Sequence, residues 1–394
     1  MNDKTSSNND ECQFPFLCLN EWPFSDIVDK STEKIYADRK EVNNRINSIL
    51  RDMTMKPSKI YILWGSLGSG KSHMLKHLLY RCKEKGSILF SYSEFPSETK
   101  RISFMQMYNQ FTKNLNWPDF KTVFMELKRK YGYDANNLDN NLCPNMISFR
   151  KAADIMCFDM GDSEAPEIVK NWLCGEKVNL NQLRKLGISK RIEAIDDAIN
   201  VFTCLTNLVS LSSTYNRLVW VIDEFNNIEN LAIKDQIQIL QSLRSLINNC
   251  PTNLTLIFSF GLNMQNNVLK ILKRDEGLLD RIRGNTPINI PEWGKNDDEE
   301  ILEFVRDRLK LFRSNGSDCG EYFPFEKSSI LEIIKFIRND KEKNPKIRLV
   351  PRTVLSRMNI ITNDALESLE QGKEKIISVN NVQESLNRHK KNQF

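Results

Sequence analysis

Eight consecutive residues, Gly65-Ser-Leu-Gly-Ser-Gly-Lys71-Ser72, place glycines, a lysine and a hydroxyl at the spacing G-x-x-x-x-G-K-[ST]. Gly65, Gly68 and Gly70 let the backbone curl so that consecutive N–H groups point at one polyphosphate, and a helix starting near Lys71 adds its positive dipole end. Lys71 can reach the β- and γ-phosphates, and the Ser72 hydroxyl can ligate Mg²⁺. Ser66, Leu67, Ser69 and, just inside the helix, His73 complete the stretch that would hold the nucleotide. The apolar run Ile60–Trp64 predicts a strand before the loop, and Met74–Lys85 predicts an amphipathic helix after it. A coincidental Gly-rich connector would lack that context. The pattern implies binding of a nucleoside triphosphate with Mg²⁺.

Hydrolysis at such a loop needs a carboxylate to organise the metal and a base to take a proton from water. The run Leu218-Val-Trp-Val-Ile222 predicts a buried strand carrying Asp223-Glu224 at its carboxyl end, where parallel sheets bind ligands. On this expectation the strand lies beside the first one, Asp223 faces the Mg²⁺ held by Ser72, and Glu224 is the general base. A solvated Asp-Glu pair is the bland alternative. A strand over Leu254–Phe260 places Ser259 near its end, with Asn263 soon after; Ser259 is the choice for a group sensing water or the γ-phosphate. Arg281, with Arg283 the nearest substitute, precedes a last strand candidate, Pro287–Ile290. It is either an arginine finger for a neighbouring subunit or a surface salt-bridge residue. Val350-Pro351-Arg352-Thr353 opens a helix, since proline suits the first turn, and Arg352 is placed to reach back over the nucleotide.

Positioning these residues requires an α/β base. Apolar strand runs alternating with helices predict a P-loop NTPase parallel sheet with helices on both faces. Residues 1–20 read as a flexible tail and 21–290 as the base; within it, about 101–216 is helical in pattern without a convincing strand, and reads as an insertion. Helices are also expected over Lys40–Asp52 and Ile233–Ile247, and a strand over Ser87–Tyr92. After Pro291 the apolar spacings of Ile301–Phe312, Ile330–Ile337 and Leu355–Leu369, with a short helix from Ser378, predict a small all-helical lid over 291–390.

Composition narrows the classes. The 394 residues are 40% hydrophobic, with 56 Lys+Arg against 51 Asp+Glu, a net charge of +5 that permits nucleic-acid contact without arguing for it. Nine scattered cysteines without C-x-x-C predict neither a disulfide framework nor a zinc site, hence a reducing, cytoplasmic setting. The polar start is unlike a signal peptide, and no apolar run of about 18 residues predicts a membrane span. His73 and His77 are spaced i, i+4 without a third ligand and read as packed or solvated helix positions.

Taken in order, Trp22-Pro-Phe24, Tyr36-Ala-Asp-Arg39-Lys-Glu41-Val, the phosphate loop, Asp223-Glu224, Asp280-Arg281-Ile282 and Pro351-Arg352 resemble the AAA+ ATPases. The resemblance is to their origin-recognition and replication-initiator type and spans residues 20–390. In that family a Gly commonly precedes the Arg of the segment matching 36–42; Asp38 stands there here. The inserted block is similar to the ATP-binding components of BREX-type phage-defence systems, through Trp172-Leu-Cys-Gly175-Glu, Leu183-Arg-Lys-Leu-Gly187-Ile and Leu205–Tyr215. The resemblance implies a homo- or hetero-oligomer or a multi-subunit system, working in antiviral defence or DNA replication and maintenance. Initiators usually carry a winged-helix domain after the lid. This sequence ends near Arg388-His-Lys-Lys391, so DNA contact is expected from a partner or directly from basic runs such as Lys128-Arg129-Lys130 and Arg388–Lys391. Such runs are otherwise solvated faces.

Three functions compete on this reading. The first is an ATP-driven switch in a DNA-associated complex. The second is an NTPase signalling or scaffold subunit that binds only proteins. The third is a small-molecule kinase, against which Asp223-Glu224 and a separate lid fit hydrolysis better.

Overall fold

The computed structural model describes residues 13–24, 33, 40–97, 102–131, 147–157, 164–261, 265–282, 287–313 and 319–391. The chain divides into two compact units, one of residues 45–66 and 78–290, the other of 1–44, 67–77 and 291–394.

The first unit holds β1 (Lys59–Trp64), β2 (Ile88–Glu94), β3 (Arg217–Asp223), β4 (Leu254–Phe260) and β5 (Ile288–Asn289). They form one parallel sheet in the order β2-β3-β4-β1-β5. Every residue of β3 and β4 is buried. Because successive side chains point to opposite faces, both faces of the sheet are covered, as the continuous apolar runs required.

The strand order corrects one expectation: β3 does not lie beside β1, because β4 pairs with both and separates them. The helix Ile233–Asn249 carries the chain from β3 to β4, and sequence order does not say into which gap the later strand returns. With neighbouring strands about 4.8 Å apart, β1 and β3 stand about 10 Å from each other.

At the opposite edge, Arg217 is 1% exposed and donates to the carbonyls of Met53 (2.7 Å), Met55 and Leu254 (3.1 Å) and to Thr255 Oγ1 (3.0 Å). The turn after α1 (Lys40–Asp52) is thereby tied to the starts of β3 and β4.

After α2 (Lys71–Lys85) and β2, the described residues of the insertion are helical. They form α3 (Phe104–Lys113), α4 (Trp117–Tyr131), α5 (Ile147–Cys157), α6 (Ala165–Leu173), α7 (Leu180–Lys185) and α8 (Ile195–Leu211). The insertion shares the sheet's core rather than standing apart: Phe111 and Phe202 pack 5.0 and 5.7 Å from Trp220 of β3. α9 (Ile233–Asn249), α10 (Gln265–Leu272) and α11 (Glu276–Ile282) complete this unit.

In the other unit, α12 (Asp298–Leu311), α13 (Lys327–Lys343), α14 (Pro351–Glu370) and α15 (Val379–Lys391) enclose a core that includes Ile301, Ile330, Ile334, Met358 and Ile361. Residues 13–20 depart from the flexible tail expected of them. Leu17 and Leu19 are fully buried in this core, Trp22 Nε1 donates to Asn359 Oδ1 (2.8 Å), and Arg308 Nε donates to the Pro23 carbonyl (2.8 Å). The cysteine expectation is corrected as well. Cys18 and Cys319 form a disulfide across 301 residues, and Cys204 is also disulfide-bonded. A pair so distant leaves no local spacing to read, and a bonded pair removes the reason to expect a reducing compartment. Among the described residues no helix is long and apolar enough to cross a membrane.

Candidate nucleotide site

Parallel strands share one carboxyl edge. Here β1 passes into Gly65, whose N–H donates to the Phe260 carbonyl (3.3 Å), and then into Ser66. Ser259 of β4 stands opposite Leu63 of β1, and β3 ends at Asp223. Ser259 is fully buried, and among the described residues its hydroxyl has no hydrogen-bond partner.

Asp223 is 1% exposed. Its Oδ1 accepts the Glu224 N–H (2.8 Å) and its Oδ2 accepts the Tyr92 hydroxyl (2.7 Å). The chain then turns sharply, with Glu224 at φ +52° in the left-handed region, which costs a non-glycine residue about 1–2 kcal/mol. Neighbouring contacts lock the turn. Phe95 N–H donates to the Asp223 carbonyl (2.8 Å), and the Phe225 ring stacks on Phe258 (4.7 Å) and stands edge-on to Phe95 (5.4 Å). One carboxylate is thus kept inside while the next is exposed. Glu224 Oε2 accepts from Asn227 Nδ2 (3.3 Å), and Asn226 Oδ1 accepts the Gly261 N–H (2.7 Å), joining the turn after β3 to the end of β4. Sequence reasoning missed Tyr92, Asn226 and Asn227. The usable signal was their place at or just beyond the carboxyl ends of β2 and β3.

The rest of the phosphate loop belongs to the other unit. Gly68 and Gly70 adopt φ of +80° and +98°, whereas Gly65 is not left-handed. α2 begins at Lys71, and the Gly70 carbonyl accepts the Met74 N–H (2.8 Å), so the N–H groups of the first turn lack an intrahelical acceptor. Lys71 is buried, Ser72 and His73 are half-buried, and Leu67 is exposed. Ser69 is fully buried, and among the described residues its hydroxyl has no hydrogen-bond partner. His77 Nδ1 lies 2.9 Å from the Glu33 carbonyl oxygen, as a packed histidine would.

Arg352, in the first turn of α14, lies on this loop. Its N–H is 3.5 Å from the Gly68 carbonyl oxygen, and a Cβ at position 68 would stand 3.0 Å from Arg352 Cβ and 3.3 Å from Val350 Cγ2. Conformation and space therefore both require glycine at 68. Arg281 is exposed on α11, near whose start Asp275 Oδ1 accepts the Leu278 N–H (2.7 Å) and pairs with Arg244 (3.3 Å). Asn263, Arg283 and the segment Tyr36–Arg39 lie outside the described residues. A turn with no room for a side chain at Gly68, a helix N-terminus, a buried ammonium and the orphaned Ser69 hydroxyl suit the phosphates of a nucleotide.

No protein-family model matches the sequence, and no curated protein does. Solved structures do match. The ORC2 protein of Aeropyrum pernix, in its ADPNP-ADP complexes, gives a TM-score of 0.51 at 11% identity over 91% of this chain and 71% of that one. The fold is the AAA+ fold. Cdc6p of Pyrobaculum aerophilum gives 0.46 at 13% identity, covering 91% and 70%. ORC1 of A. pernix in complex with DNA gives 0.45 at 11%, covering 93% and 68%. An identity of 11% speaks to fold alone, so the roles within this chain rest on its own residues.

Proposed function

We propose that this chain is an ATPase acting as a nucleotide-driven switch in a DNA-associated complex. The observation that carries the proposal is that a phosphate-loop sequence leaves the same sheet edge at which β3 delivers a buried Asp223 and an exposed Glu224. In this reading Gly65 shapes the turn, the backbone N–H groups from Ser66 to His73 hold the phosphates, and Lys71 neutralises the β- and γ-phosphates. Ser72 and Asp223 would hold Mg²⁺, which offsets phosphate charge. Glu224 takes the attacking water's proton, and Ser259 hydrogen-bonds that water or the γ-phosphate. Arg352 contacts the γ-phosphate from the lid, and loss of that contact on hydrolysis is the switch. Arg281 serves a neighbouring subunit of a homo- or hetero-oligomer. The similarity of 172–215 to BREX components extends the proposal to phage defence. The near balance of charge, +5 over 394 residues, favours the second reading, a scaffold that binds only proteins.

The test is ATP turnover with duplex DNA, single strands or no polymer, alongside Lys71→Ala. Losing that charge should weaken ATP binding at least about thirtyfold by calorimetry. Parent-like binding by Lys71→Ala sinks the phosphate-loop reading. Turnover indifferent to DNA moves the weight to the scaffold, and ADP release that requires a small acceptor would make the chain a kinase.

A further inference from the structure

We infer that Tyr92 is a positioning residue that orients the Asp223 carboxylate for a divalent cation, an inference resting on the ATPase reading above. β2 and β3 pair in parallel with Tyr92 opposite Val221 and Glu94 opposite Asp223. The two-residue period puts Tyr92, Glu94, Val221 and Asp223 on one face. From there the Tyr92 ring reaches diagonally across to Asp223 Oδ2, at 2.7 Å.

The Asp223 carboxylate offers about four lone-pair sites on two oxygens. One on each oxygen is taken, by Tyr92 and by the Glu224 N–H (2.8 Å), so the carboxylate plane is fixed by donors from β2 and from the turn after β3 while the remaining sites stay open. Both donors are neutral. Among the described residues Asp223 has no ion-pair partner although it is 1% exposed. A buried carboxylate is costly unless a positive charge answers it, and two neutral hydrogen bonds aim the group without supplying that charge. A cation completes the arrangement. Tyr92 is itself held, since Asn114 Nδ2, at the end of α3, donates to its carbonyl (2.8 Å). The inserted block thus reaches the carboxylate through one side chain.

Tyr92→Phe keeps the ring and removes the donor. The measurements are Mn²⁺ binding by electron paramagnetic resonance in the presence of ADP, and Mg²⁺ titration of ADP binding by calorimetry. Partners that orient a metal ligand typically contribute 10–100-fold to metal affinity, so the half-saturating metal concentration should rise about tenfold or more. Metal-free ADP affinity should stay at the parent value, while the melting temperature without ligand falls with the lost hydrogen bond. An unchanged metal half-saturation in Tyr92→Phe overturns the inference, with or without a lowered melting temperature. Asp223→Ala separates the two failures. If it raises the metal requirement and Tyr92→Phe does not, only the Tyr92 role falls; if Asp223→Ala leaves it unchanged, the ATPase reading of Asp223 falls too.

Discussion

Asp223 and Glu224 are adjacent in sequence and opposite in exposure, and the left-handed φ of +52° at Glu224 is what separates them. Without that turn, a strand continuing past Asp223 would carry Glu224 onto the opposite, covered face of the sheet. With it, one is held by Tyr92 and the other is turned toward solvent. Backbone strain at such a place is the kind that a site retains for its chemistry. The two residues should therefore fail differently. Glu224→Gln should bind ATP as the parent does and lose about 10²–10⁴-fold in turnover, because the amide cannot take a proton. Asp223→Asn should instead raise the Mg²⁺ requirement. Equilibrium binding and single-turnover assays on both variants check this, and unchanged turnover in Glu224→Gln would remove it as the base.

At the scale of elements, α4 holds the end of the insertion, just before β3, through Glu126. Its carboxylate accepts from Ser212 Oγ (2.6 Å) and from the Ser213 and Thr214 N–H groups, capping the turn between α8 and β3. Burial alone would raise its pKa, but these donors outweigh burial and bring it from 4.5 to about 2. A depressed folded pKa contributes stability that is present above about pH 4.5 and fades as pH falls toward about 2. Thermal melts over that window should show Glu126→Gln with a flatter acid dependence than the parent; solvent screening keeps the difference small. Parallel curves would mean the cap does not couple to folding. Elements of this kind were unevenly legible in the sequence. Leu254–Phe260 was readable to the residue because a strand covered on both faces is one unbroken apolar run. The lid helices were readable from their apolar spacing. The place of β4 between β1 and β3 was not, since each strand's pattern is the same whichever neighbour it has. Nor was the Cys18–Cys319 bond, or the burial of Leu17 and Leu19, which depend on a segment 301 residues away. The glycine turn through Gly68 and Gly70 and the end of a strand at Asp223 were legible because backbone curl and strand end are local. Tyr92 was not, since its partner lies 131 residues later.

At the scale of the whole molecule, an arginine that serves a neighbouring chain acts only when chains meet. Arg281 stands exposed on α11, whereas Arg352 packs onto Gly68 of its own chain. The two should therefore respond differently to mixing. Arg281→Ala should bind ATP normally and lose about 10³–10⁵-fold in turnover, the range of arginine fingers elsewhere. Added Lys71→Ala chains have no working pocket but carry an intact Arg281. Wherever one of them sits beside an Arg281→Ala chain, that chain's intact pocket regains its finger, so the mixture should hydrolyse ATP faster than either variant alone. Arg352→Ala offers the contrast, because its lost contact lies within its own chain and no neighbour can replace it. Turnover against mixing ratio, at protein concentrations where size-exclusion chromatography detects the oligomer, decides between the roles. Rescue of neither arginine variant would leave Arg281 as a surface residue and the site as one completed within a single chain, whereas rescue of both would mean that Arg352 also acts across chains and that Arg281 is not singled out as the finger.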